Sequence, residues 1–530
     1  MKTAAGGGAK KFMLIMAAIT LSAVALLAWF QLANNGPVDK LSDQIVALSQ
    51  ADPDRAVEMY PQLIDLMDKN NISNARKSQA LLRYGEVLQC NRCYEKAIVI
   101  LNQSLALSRN HWPGTAESNT IVEIAQCKLA LAKTQKLTQA DIDSLTEAAK
   151  AHPPIEQSQR DKMFWPLYAQ VLGRIYSELG DYPNADVYLQ KAADQFEGDD
   201  LDLQESQAFM IDILVKQGKY AEANQKFIEI FCDLLGPEYR YYLPKLFRQS
   251  LLRVQDKDPT FATRVQDMLA RKQFDELDKL AQEMLAAKKI AASGRWSVND
   301  FYLALDSSEN PDYQCPWGER IKQLEQWAKD RPQSAAAKIA LGNELVSYAW
   351  IARGGGWASD VSKEGQIKFD DRLAGAEGVL NQVKDRTPNW YVAMQGCALG
   401  QGWSEKRYDA LVAECQKRYP DYDTVIFNKC YWLQPRWHGQ EGDYESYIFA
   451  EADKRPGAAG DILYARCVWN LDNLCLSEVQ GKPKIAWARA KFGLREIIKQ
   501  YPDSAVAKGA LSGLAMENHD KQVALDAFAK

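Results

Sequence analysis

The chain has 530 residues, 47% apolar and 25% charged, with a net charge of −5. This is the composition of a globular protein rather than a disordered one, and the length suits two or three domains or one long repeat array. The acidic balance argues against nucleic-acid binding, because phosphate neutralisation needs a basic face and no Lys/Arg cluster supplies one.

In chain order, the first predicted element is apolar. Residues 12–32, FMLIMAAITLSAVALLAWFQL, carry no charge. At about 1.5 Å per residue they match a hydrocarbon core of roughly 30 Å. Lys2, Lys10 and Lys11 precede the stretch and Trp29 lies near its far end. By the positive-inside rule, residues 1–11 are expected in the cytosol and the bulk outside it, anchored in the inner (cytoplasmic) membrane. A cleaved signal is the competing reading, but the stretch is long for one and Gln31-Leu32-Ala33 makes a poor cleavage site. No Cys stands near its end, which excludes a lipoprotein anchor. A reversed topology would leave the bulk cytosolic. Residues 33–50 read as a linker.

Beyond it, apolar residues recur at three and four, as in LYAQVLGRIYSEL, and hardly anywhere at two. The chain is expected to be all-α. Over residues 51–235 the segments beginning at Tyr84, Leu172 and Met210 align with one another. Tyr94, Tyr182 and Tyr220 coincide, as do Ala97, Ala185 and Ala223, and then Leu101, Leu189 and Phe227. Gly180 and Gly218 end the preceding helices. This pattern resembles the tetratricopeptide repeat, a 34-residue helix–turn–helix; Leu172, Gly173, Tyr176, Gly180, Tyr182, Ala185 and Ala192 match its motif almost in full. The resemblance implies an α-solenoid of hairpins, each burying its face on its neighbours.

Residues 236–318 read as a helical connector that ends in an irregular crossover, 292–318. After it, Pro332, Pro388, Pro420, Pro456 and Pro502 each follow a basic helix end. Cations suit a helix C-terminus, and Pro cannot continue a helix. The five therefore punctuate a repeated unit with spacings of 56, 32, 36 and 46. Twelve residues before each Pro the motif calls for a small residue. Ala376 and Ala490 comply; Arg320, Tyr408 and Tyr444 do not. Residues 319–480 are read as a second tetratricopeptide-like domain, and 481–530 as a terminal repeat whose last helix, near 521–529, caps the array.

Three clauses pair Gly with Trp in that second domain: ARGGGW (352–357), GQGW (400–403) and PRWHGQ (435–440). Each falls at a helix end in consecutive units, so their turns should share one edge. The expected edge holds Arg353, Trp357, Trp403, Arg436, Trp437 and His438. Packing explains such clauses, since Gly ends helices and Trp fills space. A ligand edge explains them too, with indole faces for stacking and guanidinium groups for anions. Eleven of the fourteen Trp lie between Trp296 and Trp487, which places any such site in the C-terminal half. The three clauses, in this order between about Val265 and Cys475, together with FDELDKLAQEML and GRWSVNDFY upstream, resemble a bacterial domain family of unknown function. That resemblance implies no activity.

Catalytic signatures are missing: no GxxxxGK[ST], GxSxG or HExxH occurs, and GQGWSE lacks the third Gly of a dinucleotide turn. The four His, at 111, 152, 438 and 519, are dispersed, so no metal or other cofactor is expected. Of the ten Cys, Cys90 and Cys93 form a lone CxxC without the partners a zinc site needs. Glu441 and Asp443 are the acids that could serve as a glycosidase pair. Gln170, Arg174, Ala208 and Asp212 stand where a carboxylate-clamp repeat would carry Lys and Asn. The expectation is a membrane-anchored scaffold that binds a protein or peptide, and not an enzyme. The competing expectation is a helical-repeat enzyme or binder acting on cell-envelope glycan.

Overall fold

The computed structural model describes residues 36–108, 115–132, 139–151, 159–195, 201–233, 242–255, 259–310, 313–356, 358–474 and 485–529. They form twenty-five α-helices and one short 3-10 turn, with no strand among them. The apolar segment 12–32 lies outside the described residues. Among those described, no helix is long and apolar enough to cross a membrane.

The helices pair as hairpins, and the aligned sequence positions explain the pairing. Tyr94, Tyr182 and Tyr220 each open a second helix: Tyr94–Ser108, Tyr182–Gln195 and Tyr220–Asp233. Ala97, Ala185 and Ala223 are completely buried beneath them, as are Leu101, Leu189 and Phe227. A methyl group at Gly173 would lie 2.7 Å from Leu189, and one at Gly342 would lie 2.8 Å from Leu380. The missing side chains set the separation of paired helices. Gly180 and Gly218 turn the chain in the left-handed region, at φ 78° and 73°. Arg92 occupies the same station, two residues before Tyr94, at φ 59°.

The five prolines all stand between units. Pro332, Pro420, Pro456 and Pro502 sit in connectors, and Pro388 is the first residue of Pro388–Gln401. Serine caps follow two of them: Ser334 and Ser504 accept from the amides of Ala337 and Ala507. All five residues twelve positions earlier are buried: Ala376, Ala490, Arg320, Tyr408 and Tyr444. The station is thus always internal, although two tyrosines and an arginine replace the small side chain.

The hairpins close on themselves. Neighbouring helices stack in chain order from Pro37–Ala51 to Tyr242–Gln255. This last helix then packs along Ala505–Glu517, near the other end of the chain. Asn224 Nδ2 donates to the Ala524 carbonyl at 2.9 Å, and Ser512 Oγ donates to Asn224 Oδ1 at 2.6 Å. Both contacts are buried, so the final helix, Lys521–Asp526, ends the array against Tyr220–Asp233 rather than in solvent. At the far joint, Pro37–Ala51 packs on Ala335–Arg353 and Lys363–Leu380. Tyr348 OH donates to Asp54 at 3.0 Å, and Lys368 Nζ reaches Asp52 at 2.7 Å. The amide of Gly318, in the first turn of Trp317–Asp330, also donates to Asp54, so the carboxylate caps that helix from 264 residues away.

The stretch 288–297 folds as a compact loop that plugs the C-terminal half. Trp296 is buried and its indole N–H donates to the Asp421 carbonyl at 3.1 Å. Arg466 Nε donates to the carbonyl of Ala292.

Candidate functional site

The three Gly-Trp clauses occupy the turns within three consecutive hairpins, after Ala335–Arg353, Pro388–Gln401 and Thr424–Trp432. The glycines have separate physical reasons. Gly354 (φ 73°) and Gly402 (φ 64°) end their helices in conformations that side chains resist. Gly439 is needed for close approach, because a Cβ there would run into the backbone carbonyl of Leu433.

The turns do not treat their aromatic residues alike. Arg353, at the end of its helix, folds back so that Nη1 donates to the carbonyls of Gly354 (3.1 Å) and Gly356 (3.2 Å). Its guanidinium lies 5.5 Å from the centre of the Trp350 ring and 5.9 Å from that of Trp437. Trp350 and Trp437 meet edge to face at 5.5 Å, and Tyr431 leans on Trp437 at 5.7 Å. Arg436, exposed, lies 5.0 Å from the centre of the Trp437 ring. Burial lowers the Arg353 pKa, and the neighbouring positive charge of Arg436 lowers it further. Two guanidinium groups are therefore held around one indole at an electrostatic cost. The Trp437 indole N–H has no hydrogen-bond partner.

Trp403 stands apart. Its turn, 402–404, is three residues long, and the side chain tucks beneath it, 8% exposed. Its indole N–H donates to Gln401 Oε1 at 2.8 Å, and the Arg407 guanidinium covers its face at 3.2 Å. Gln401 and Arg407 both bind Glu377. The indole N–H and one face of the ring are thus engaged within the fold. His438 stacks on the buried Trp432 at 4.8 Å, and its Nε2 lies 3.0 Å from the Leu399 carbonyl, tying the second turn to the third. Trp357 lies outside the described residues. Thus Arg353, Arg436 and Trp437 come together, with His438 beside them in sequence but facing inward.

Sequence reasoning missed Trp350 and Tyr431. Trp350 stands three residues before Arg353, so the two share a helix face; that spacing was the available signal. Of the two acids considered for catalysis, Asp443 accepts the Gln440 amide at 2.6 Å and so stabilises the turn, while Glu441 is exposed. Among the described residues no group of His, Cys, Asp and Glu side chains converges to hold a metal, and the nine described cysteines are free thiols.

Residues 262–376 match a family described as a domain of unknown function (DUF4034). The match takes in FDELDKLAQEML, GRWSVNDFY and the first Gly-Trp clause. It ends before the second and third clauses, so those belong to hairpins beyond the matched segment. No curated protein matches the chain.

Proposed function

We propose that this chain is a tetratricopeptide-like scaffold that binds an acidic segment of a protein partner at the edge formed by Arg353, Arg436 and Trp437. The observation that carries the reading is the pair of like-charged guanidinium groups kept around a half-exposed indole. An anionic group beside them would relieve their repulsion. Guanidinium–carboxylate pairs are strong where water is partly excluded, and Trp and Arg are the residue types that most often dominate interfaces. The tetratricopeptide part of the reading is supported by the aligned Tyr, Ala and Leu positions of the N-terminal hairpins. The localisation we propose, an inner-membrane anchor at residues 12–32 with the bulk exported, is supported by the uncharged length of that segment and the lysines before it.

The test is site-specific photo-crosslinking from position 436 of the full chain in its native membranes. A discrete protein adduct that disappears in Arg353→Ala and Trp437→Ala supports the reading. Adducts only with glycan, or none that depends on Arg353, would remove it. A reporter fused after Lys530 fixes the topology independently.

A further inference from the structure

Two departures from the repeat pattern meet at one place. Arg92 stands where Gly180 and Gly218 stand in the neighbouring units, and takes the left-handed conformation they take. Other non-glycine residues adopt that conformation, among them Lys272 and His519, but those are exposed whereas Arg92 is 6% exposed. Arg320 stands twelve residues before Pro332, at the station of Ala376 and Ala490, and is 2% exposed. These two departures each bury a guanidinium, which points to a function for the pair.

The geometry brings them together. Arg92 lies 4.1 Å over the ring of Trp317. Arg320 is one turn further along the helix Trp317–Asp330, on the same face. The other face of Trp317 stacks on Tyr348 at 5.0 Å. Glu344, completely buried, is one turn before Tyr348 on Ala335–Arg353. Glu344 Oε2 accepts the Ser307 amide at 2.9 Å, and Oε1 has no partner. Neither has Arg92 Nη1, nor Arg320 Nε and Nη1, nor the indole N–H of Trp317. Among the other ionisable neighbours, Asp306 is already satisfied by Ser308 and Ser347, and the Tyr313 ring lies 5.2 Å from the Arg320 guanidinium. Buried groups of this kind are normally paired, and each one left unmade is costly.

We propose that Arg92, Arg320 and Glu344 form a binding site for monohydrogen phosphate at the joint between the N-terminal hairpins and the C-terminal half. The unpartnered guanidinium N–H groups supply donors for the oxyanion, and Glu344 Oε1 accepts its one hydroxyl. The carboxylate is also the selectivity element: it welcomes an anion that keeps a proton and repels one that does not. Burial and the nearby Asp306 raise the Glu344 pKa to about 7, while Ser307 and Arg320 hold it down, so selectivity requires a more alkaline solution.

Isothermal titration of the full chain tests this at about pH 8, with inorganic phosphate, sulfate and a phosphate monoester compared at constant ionic strength. The expected result is phosphate binding with at least about a tenfold preference over sulfate, and a loss of that preference in Glu344→Gln, which still binds both ions. Arg320→Gln should weaken phosphate at least about tenfold. The monoester, a dianion with no proton at this pH, should bind as weakly as sulfate, and binding as tight as phosphate would overturn the contact between Glu344 and the hydroxyl. If Arg320→Gln fails to fold, the Glu344→Gln comparison decides alone. Absence of phosphate binding, which would mean that water fills the site, or an unchanged preference in Glu344→Gln overturns the proposal.

Discussion

The two halves of the molecule use the same hairpin and turn it differently. In the N-terminal half the turns at 91–93, 179–181 and 217–219 are three residues long, and each is followed at once by a tyrosine that opens the next helix. In the C-terminal half two turns open to 354–362 and 433–442, and these hold Arg353, Arg436 and Trp437 at the surface. The middle turn, 402–404, keeps the short form, and its Trp403 is buried like any core residue. Turn length, more than the presence of a Gly-Trp clause, therefore separates an exposed indole from a packed one. The halves also differ in what their charged side chains face: Arg436 faces solvent, whereas Arg92 faces the joint with the other half.

That contrast can be broken or sharpened in graded steps. The largest effect should come from the joint itself. Trp317 is completely buried between Arg92 and Tyr348, so Trp317→Ala should cost about 3–5 kcal/mol in urea unfolding and loosen residues 37–92, read as faster amide exchange there. Next are the glycines. Gly439→Ala forces a methyl group against the Leu433 carbonyl and should cost about 1–3 kcal/mol. Gly180→Ala, in open space at φ 78°, should cost only about 1 kcal/mol. Similar losses for the two would mean that the long C-terminal turn is no more constrained than a short one.

The pH response is a subtler probe. With its pKa raised from the usual carboxyl value to about 7, Glu344 is more readily protonated folded than unfolded. Its contribution to stability is then fully present below about pH 4.5 and falls as pH rises through about 7. Glu344→Gln should flatten that part of the stability curve, measured as unfolding midpoints between pH 5 and 8. Glu86, also raised to about 7 by burial and by Glu123, leaves a residual slope. The smallest effect on folding is expected at the exposed edge: Arg436→Ala should change stability by less than about 0.5 kcal/mol. A partner bound there should nevertheless weaken by about 1–3 kcal/mol, read from the midpoint of a binding titration.

How far the sequence reaches is visible at single residues. Period-three-and-four apolar spacing foretold the all-helical chain, because a helix must present one continuous apolar stripe to its neighbour. The alignment of Tyr94, Tyr182 and Tyr220, and the stations of the five prolines, marked helix starts and unit boundaries, since both depend on the local backbone. Gly180 and Gly218 marked helix ends for the same reason, and the structure shows them to be left-handed. At the edge, the spacing of Arg353, Arg436 and Trp437 from the helix ends placed them on neighbouring turns, and three residues of helix separated the overlooked Trp350 from Arg353.

What the sequence could not supply was the partner of each surface. Nothing local in Asp54 says that it caps a helix starting at Trp317, nor does Asn224 announce its contact with Ala524. Contacts across hundreds of residues depend on the summed curvature of the hairpin stack, to which every unit adds a small rotation. For the same reason Arg320 reads in sequence as a loose match to a repeat, and only the closed stack shows it buried beside Arg92 and Glu344. Local backbone preferences wrote the helices and their ends; the accumulated geometry of stacking decided which charges would meet inside.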